Sequence, residues 1–172
     1  MKIAIIPKAG TTKQKTHGAN SRMFYLAKGL VEKGHQVKLF ASSDSEIPQG
    51  VEHIKWEKPR KTDCVARVDY LSEAIRQSQD CDIINCQADH LSLPFTTWSR
   101  VPILHTIIYG RLPESVIDFL NSHSTDYFST ISNFLQKKYL GLNYQGMVHN
   151  AIDVNIFPYT EETEDFFLYL SR

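Results

Sequence analysis

The chain has 172 residues, an apolar fraction of 42%, and 19 basic against 19 acidic side chains, which fits one folded domain with a substantial core. The balanced charge argues against a nucleic-acid partner. Three cysteines without a close-spaced pair exclude a disulfide scaffold and point to a reduced, cytoplasmic setting. No apolar run approaches the length of a membrane span, so any contact with a membrane would be peripheral, at its inner face.

Chain order gives alternating short apolar runs and helix-length segments, the pattern of a parallel sheet covered by helices on both faces. The first run, Ile3 to Ile6, leads into a polar loop that reaches His17. A helix follows over Ala19 to Lys33, with Met23, Leu26, Ala27 and Leu30 on one face and Gly34 placed to end it. Gln36 to Ala41 reads as a second strand, the turn-rich SSDSEIPQG as its exit, and Val51 to Ile54 as a weaker third strand.

Between Asp63 and Gln79, Val68, Leu71 and Ile75 share a helical face, with Thr62-Asp63 as the N-cap. Asp82 to Cys86 is strand four. Val101 to Ile108 is strand five, reached through a short helix near Leu91 to Trp98. A helix opens at Pro113 and turns Val116, Ile117 and Leu120 inward. Tyr127 to Ile131 and Gly146 to His149 complete seven strands, with Ser132 capping the helix between them. The fold class is therefore a Rossmann-like, doubly wound α/β sheet. The acidic EETED and the apolar FFLYLSR then read as a linker and the first strand of a second domain, dividing the chain into 1–158 and 159–172.

Ligands of open parallel sheets sit beyond the carboxyl ends of the strands. There this sequence places Lys8, Thr11, Thr12, His17 and Gly18 after strand one, and Gln87, Asp89 and His90 after strand four. His105, Thr106, Tyr109 and Arg111 follow strand five; Ser132 and Asn133 follow strand six. The amino-terminal end is also basic: no acid precedes Glu32, while Lys2, Lys8, Lys13, Lys15, Arg22 and Lys28 do. That stretch reads either as a solvated loop or as a positive rim for an anion. The segment HGAN at the helix start, with Gly18 and Asn20, suits either close helix packing or backbone contacts to a phosphate or sugar. His105 reads either as a satisfied structural histidine or as a rim group.

Other cofactor chemistries are disfavoured. PKAGTTKQKTHGAN stands where a dinucleotide fold needs a tight glycine triplet, and there is no GxxxxGK[ST] phosphate loop. Cys81, Cys86 and His90 invite a metal reading, but odd spacing along an extended segment points the cysteines to opposite faces, so no metal is expected.

The stretches HGANSRMFYLAKGLVEKGHQVKLFASSDS, DIINCQADHLSLPF, RVPILHTIIYGRL, FSTISNF and VHNAIDVNIF occur in an order that resembles the retaining, family-four GT-B glycosyltransferases. The first is similar to the family's glycine-rich loop and helix, the third to its P-x-x-x-H-T, the fourth to its S-x-S, and the last to its N-G-[VI]-D-x-x-x-F. Departures fall at Ala19, at Ser21-Arg22, at HTIIYG and at Ala151.

The resemblance implies the amino-terminal, acceptor-side half of a GT-B fold, with a nucleotide-sugar donor held mainly by a carboxyl-terminal domain outside these residues. It implies that His105 supports charge at the transferred sugar, with Thr106 beside it. His17, Gly18, Asn20, Asp89, His90, Tyr109, Arg111, Ser132 and Asn133 would line the substrate cleft. It further implies transfer to a carbohydrate or glycolipid acceptor, with no protein base and no cofactor beyond the nucleotide-sugar substrate, and little activity in the isolated half. The alternative is a stand-alone saccharide- or anion-binding module, or an inactive remnant that pairs with a separate donor-domain chain.

Overall fold

A computed structural model describes residues 1–8, 19–56, 63–88, 90–151, 153–156, 160–162, 165, 167 and 169, with backbone only at 19, 20 and 156. Seven strands form one sheet: β1 (Lys2–Pro7), β2 (Gln36–Ser42), β3 (Val51–Trp56), β4 (Ile83–Gln87), β5 (Ile103–Ile107), β6 (Tyr127–Thr130) and β7 (Tyr144–Met147). All pairings are parallel, in the order β3-β2-β1-β4-β5-β6-β7. The expected Rossmann-like fold is present, and the strand order reverses direction between β1 and β4.

Four α-helices, α1 (Ala19–Glu32), α2 (Cys64–Arg76), α3 (Glu114–Ser122) and α4 (Asn133–Lys138), and a 3-10 helix at His90–Trp98 connect the strands. Pro94 inside that 3-10 helix withholds a backbone donor and is a poor fit to an α-helical interior. The short segment 43–50 joins β2 to β3 without a helix. At its end Gly50 adopts φ 81°, which favours glycine, and a Cβ there would stand 3.0 Å from Val31 Cγ1, so that side chain would have to give by a few tenths of an ångström.

Several stop and start signals act as expected. Gly34 has φ 82°, its amide donates to the Val31 carbonyl at 2.8 Å, and the His35 amide donates to the Leu30 carbonyl at 3.1 Å. This paired closure satisfies carbonyls that the end of α1 would otherwise leave open. Asp63 accepts from the Ala66 amide at 2.9 Å, and Ser132 accepts from the Leu135 amide at 3.3 Å, each as an N-cap.

Right-handed crossovers place helices on opposite faces when strand order runs in opposite directions. Accordingly α1 buries Met23 and Ala27 against Ile3, Ile5, Val37, Leu39 and Ala41 on one face. On the other face, α2 presents Tyr70, Leu71, Ala74 and Ile75 to Ala4, Ile6, Phe40, Ile84 and Ile103. Farther along that second face, Leu93, Leu120, Leu135 and Tyr139 close over Ile107 and Phe128. Each fully buried side chain of this kind contributes about 1.5–3 kcal/mol.

Three expectations are corrected. Val68 is 41% exposed, because the inward stripe of α2 runs through Tyr70, Leu71, Ala74 and Ile75. Cys81 and Cys86 lie in the same buried cluster rather than on opposite faces, since Cys81 precedes β4 and strand alternation does not govern it. The last strand begins two residues earlier than expected, and its pairing with β6 shifts register between Phe128 and Ser129. The strand expected over 166–172 falls largely outside the described residues. Among the described residues, no helix is long and apolar enough to cross a membrane.

Candidate functional site

Only α1, among the described helices, covers the first face, and it lies over β1 to β3. The same face of β4 to β6 is left beside it as the floor of a trough. This trough has a volume of about 250 Å³, with Arg22, Tyr25 and Leu26 of α1 on one side and residues 148–151 on the other. Its polar floor consists of Asn85, Gln87, Thr106 and Ser129. Strand parity explains the set. Ile83 packs under α1, so Asn85 and Gln87, two and four residues on, face the same way. Thr106 and Ser129 are register partners across β5 and β6, and their hydroxyl oxygens are 2.8 Å apart.

Three buried polar atoms in this trough have no hydrogen-bond partner: Arg22 Nε, Tyr25 Oη and Gln87 Oε1. Gln87 is 6% exposed and its Nε2 donates to Asn85 Oδ1 at 3.1 Å, while its Oε1 is buried without a partner. Arg22 Nη1 donates to Asn150 Oδ1 at 3.4 Å, tying α1 to the segment after β7. Burial lowers the Arg22 pKa, opposed by Tyr109. An unmet buried polar atom costs about 1–3 kcal/mol, and native proteins retain few. All three belong to residues that line the trough beside the point where strand order reverses.

His105 is a correction to the expected rim position. Strand alternation turns its ring away from Thr106 and onto the second face, where it is 5% exposed. Nδ1 pairs with Ser92 Oγ at 3.0 Å and Nε2 with Thr96 Oγ1 at 2.9 Å, while Phe128 lies against the ring at 5.8 Å between centroids. A neutral imidazole donates at one nitrogen and accepts at the other, and hydroxyls can serve both. Burial, assisted by His123, pushes the His105 pKa down to about 3. The ring therefore joins β5 to the 3-10 helix as a neutral group.

The other expected residues divide. Thr106 lies in the trough. His17, Gly18 and Asp89 lie outside the described residues, and Asn20 is described only as backbone in the first turn of α1. His90 starts the 3-10 helix and meets Phe119 edge-on at 6.5 Å, away from the trough. Tyr109 has Lys8 Nζ 4.3 Å over its ring, and its carbonyl accepts from Tyr139 Oη at 3.2 Å. Arg111 and Asn133 are exposed, and Ser132 serves as the α4 cap. None of these four lines the trough. Arg22, Tyr25, Asn85 and Ser129 were not singled out as site residues, although the polar pair Asn85 and Gln87 at strand spacing and the stripe Arg22, Tyr25, Leu26 at helical spacing carry the signal.

No protein-family model matches the chain, and no curated protein matches its sequence. Among solved structures, Anabaena HepE in complex with UDP and glucose is similar, with a TM-score of 0.58 at 12% identity over 94% of this chain and 47% of HepE. The likeness is one of fold, a Rossmann-like parallel α/β sheet. The chain spans about half the length of HepE. The C-terminal domain of the coenzyme A biosynthesis bifunctional protein CoaBC gives a TM-score of 0.48 at 13% identity over 71% of each chain.

Proposed function

We propose that this chain is the acceptor-side domain of a nucleotide-sugar-dependent, retaining glycosyltransferase of the GT-B type. A second domain outside these 172 residues supplies most contacts to the donor. The observation that carries the reading is the trough at the carboxyl ends of β4 to β6, where Asn85, Gln87, Thr106 and Ser129 form a polar floor between apolar walls. The similarity to HepE, a protein solved with UDP and glucose, supports it.

In this reading the protein's contribution is orientation and charge stabilisation rather than proton abstraction. Thr106, Ser129 and Gln87 hold the acceptor by its hydroxyls. Arg22 offers a fixed positive group at the mouth of α1. The leaving phosphate of the donor takes the acceptor proton, in keeping with a retaining transferase. His105 takes a structural part: it fixes the 3-10 helix behind β5 and so holds the backbone that presents Thr106. No metal is required.

A module that binds saccharide without transferring it is the second reading. It is favoured by one observation: the polar floor and apolar walls of the trough all belong to this chain, so a saccharide can be held there without a donor domain.

Calorimetric titration of the 172-residue chain with UDP tests the division of labour between domains. The acceptor-side reading expects no binding stronger than millimolar. Micromolar affinity for UDP would assign the donor site to this half and overturn it.

A further inference from the structure

Residues 148–151 form one wall of the trough and meet the opposite wall, α1, through the pair Arg22 and Asn150. The two ends of this segment are held unequally. On the sheet side the Val148 amide donates to the Thr130 carbonyl at 2.8 Å, and His149 Nδ1 donates to the Ile131 carbonyl at 3.1 Å. On the α1 side Arg22 Nη1 donates to Asn150 Oδ1 at 3.4 Å, longer than the usual 2.7–3.2 Å of such bonds. We propose that residues 148–151 are a strap, latched to α1 by Arg22 and Asn150, and that release of this latch opens the trough.

Little surface is buried to favour the latched state. Residues 148–151 are all exposed, Val148 at 69%, and a segment with few buried apolar contacts is one that opens locally. The latched state also carries a cost on the α1 wall, where Arg22 Nε and Tyr25 Oη are buried without partners. Water admitted between the walls would pair both atoms. It would also rehydrate the Arg22 charge, which burial disfavours. One long hydrogen bond thus stands against two unmet polar atoms and a partly desolvated cation, a balance that brings the latched and open states close in free energy. The movement lies within this domain and needs no second one, so it serves a transferase and a binding module alike.

The test is nitrogen-15 NMR of the 172-residue chain, reading hydrogen exchange at the Arg22 Nε–H and the relaxation of that signal by a soluble nitroxide. Asn150→Ala removes the latch and should raise both by about fivefold or more, while exchange at the Ile5 and Leu39 amides of the sheet stays as in wild type. Asn150→Asp turns the latch into a charge-assisted pair and should slow Arg22 Nε–H exchange by about threefold or more. The two variants move one signal in opposite directions, which a general loosening of the domain does not do. Unchanged Arg22 signals in Asn150→Ala would overturn the proposal, as would a rise shared by Ile5 and Leu39. Should Asn150→Ala fail to fold, Asn150→Asp decides alone: slower Arg22 exchange supports the latch, and equal or faster exchange overturns it.

Discussion

Replacing His105 by leucine separates a structural histidine from a catalytic one. The substitution keeps an apolar body of similar reach but removes both partners of the imidazole, Ser92 Oγ at 3.0 Å and Thr96 Oγ1 at 2.9 Å. Two neutral hydrogen bonds contribute about 1–3 kcal/mol together, and stranding part of their hydroxyl chemistry in a buried site brings the expected loss to about 2–4 kcal/mol. For a domain of this size each kcal/mol corresponds to roughly 2–4 °C, so thermal unfolding should fall by about 5–15 °C.

The same ring makes a pH prediction of definite sign. Its folded pKa, about 3, lies below the ordinary 6.5. The unfolded chain therefore binds the extra proton first as pH falls, and stability present above pH 6.5 is lost between there and pH 3. From pH 7 to pH 5 this amounts to about 2 kcal/mol. Wild type should lose that increment and His105→Leu should not, so the gap between them narrows at pH 5. Urea unfolding at the two pH values reads it directly. An unfolding temperature within 2 °C of wild type (about 1 kcal/mol or less), or parallel stability curves, would refute the structural assignment.

Other expectations follow from single contacts. Thr106→Val removes the 2.8 Å bond to Ser129 but leaves β5 packed, so stability should change by about 1 kcal/mol while any glycosyl transfer by the full-length gene product should fall at least tenfold; unchanged transfer would remove Thr106 from the site. Tyr70→Phe deletes a hydroxyl that donates to the Pro7 and Phe40 carbonyls at 3.2 and 3.3 Å, and should lower denaturant stability by about 1 kcal/mol without affecting sugar binding. Asp80 bonds Lys2 and, at 3.0 Å, the buried Lys38; these bonds hold its carboxyl well below the usual range, so its contribution is present above the unfolded pKa and lost as pH falls below it. Asp80→Asn should flatten that acid limb in a pH series of melts, and an unaltered limb would contradict the pairing.

The sheet was legible because its signals are local. Gly34 ends α1, Ser132 caps α4, and the apolar runs mark the strands, all through chemistry contained within a few residues. The site was less legible because residues following a strand do not all face one way. His105 and Thr106 are adjacent in sequence, yet parity sends one behind the sheet and the other into the trough. Counting in twos from Ile83 or Leu104 would have grouped Asn85, Gln87 and Thr106. Bringing Arg22 and Tyr25 to the same place requires knowing that β4, β5 and β6 lie beside β1, which is a property of strand order. The exposure of Val68 has a similar origin: of the three apolar positions that defined a helical stripe, the docking of α2 buries Leu71 and Ile75 together with Tyr70 and Ala74 and leaves Val68 out.

Release of nucleoside diphosphate from a panel of nucleotide-sugars, incubated with the full-length gene product and neutral saccharides, bears most directly on whether this domain serves glycosyl transfer. The account predicts release that depends on both donor and saccharide, with the anomeric configuration retained in the product. A correctly folded full-length protein that binds saccharide in the trough yet releases nothing from any donor would contradict it and leave a binding module.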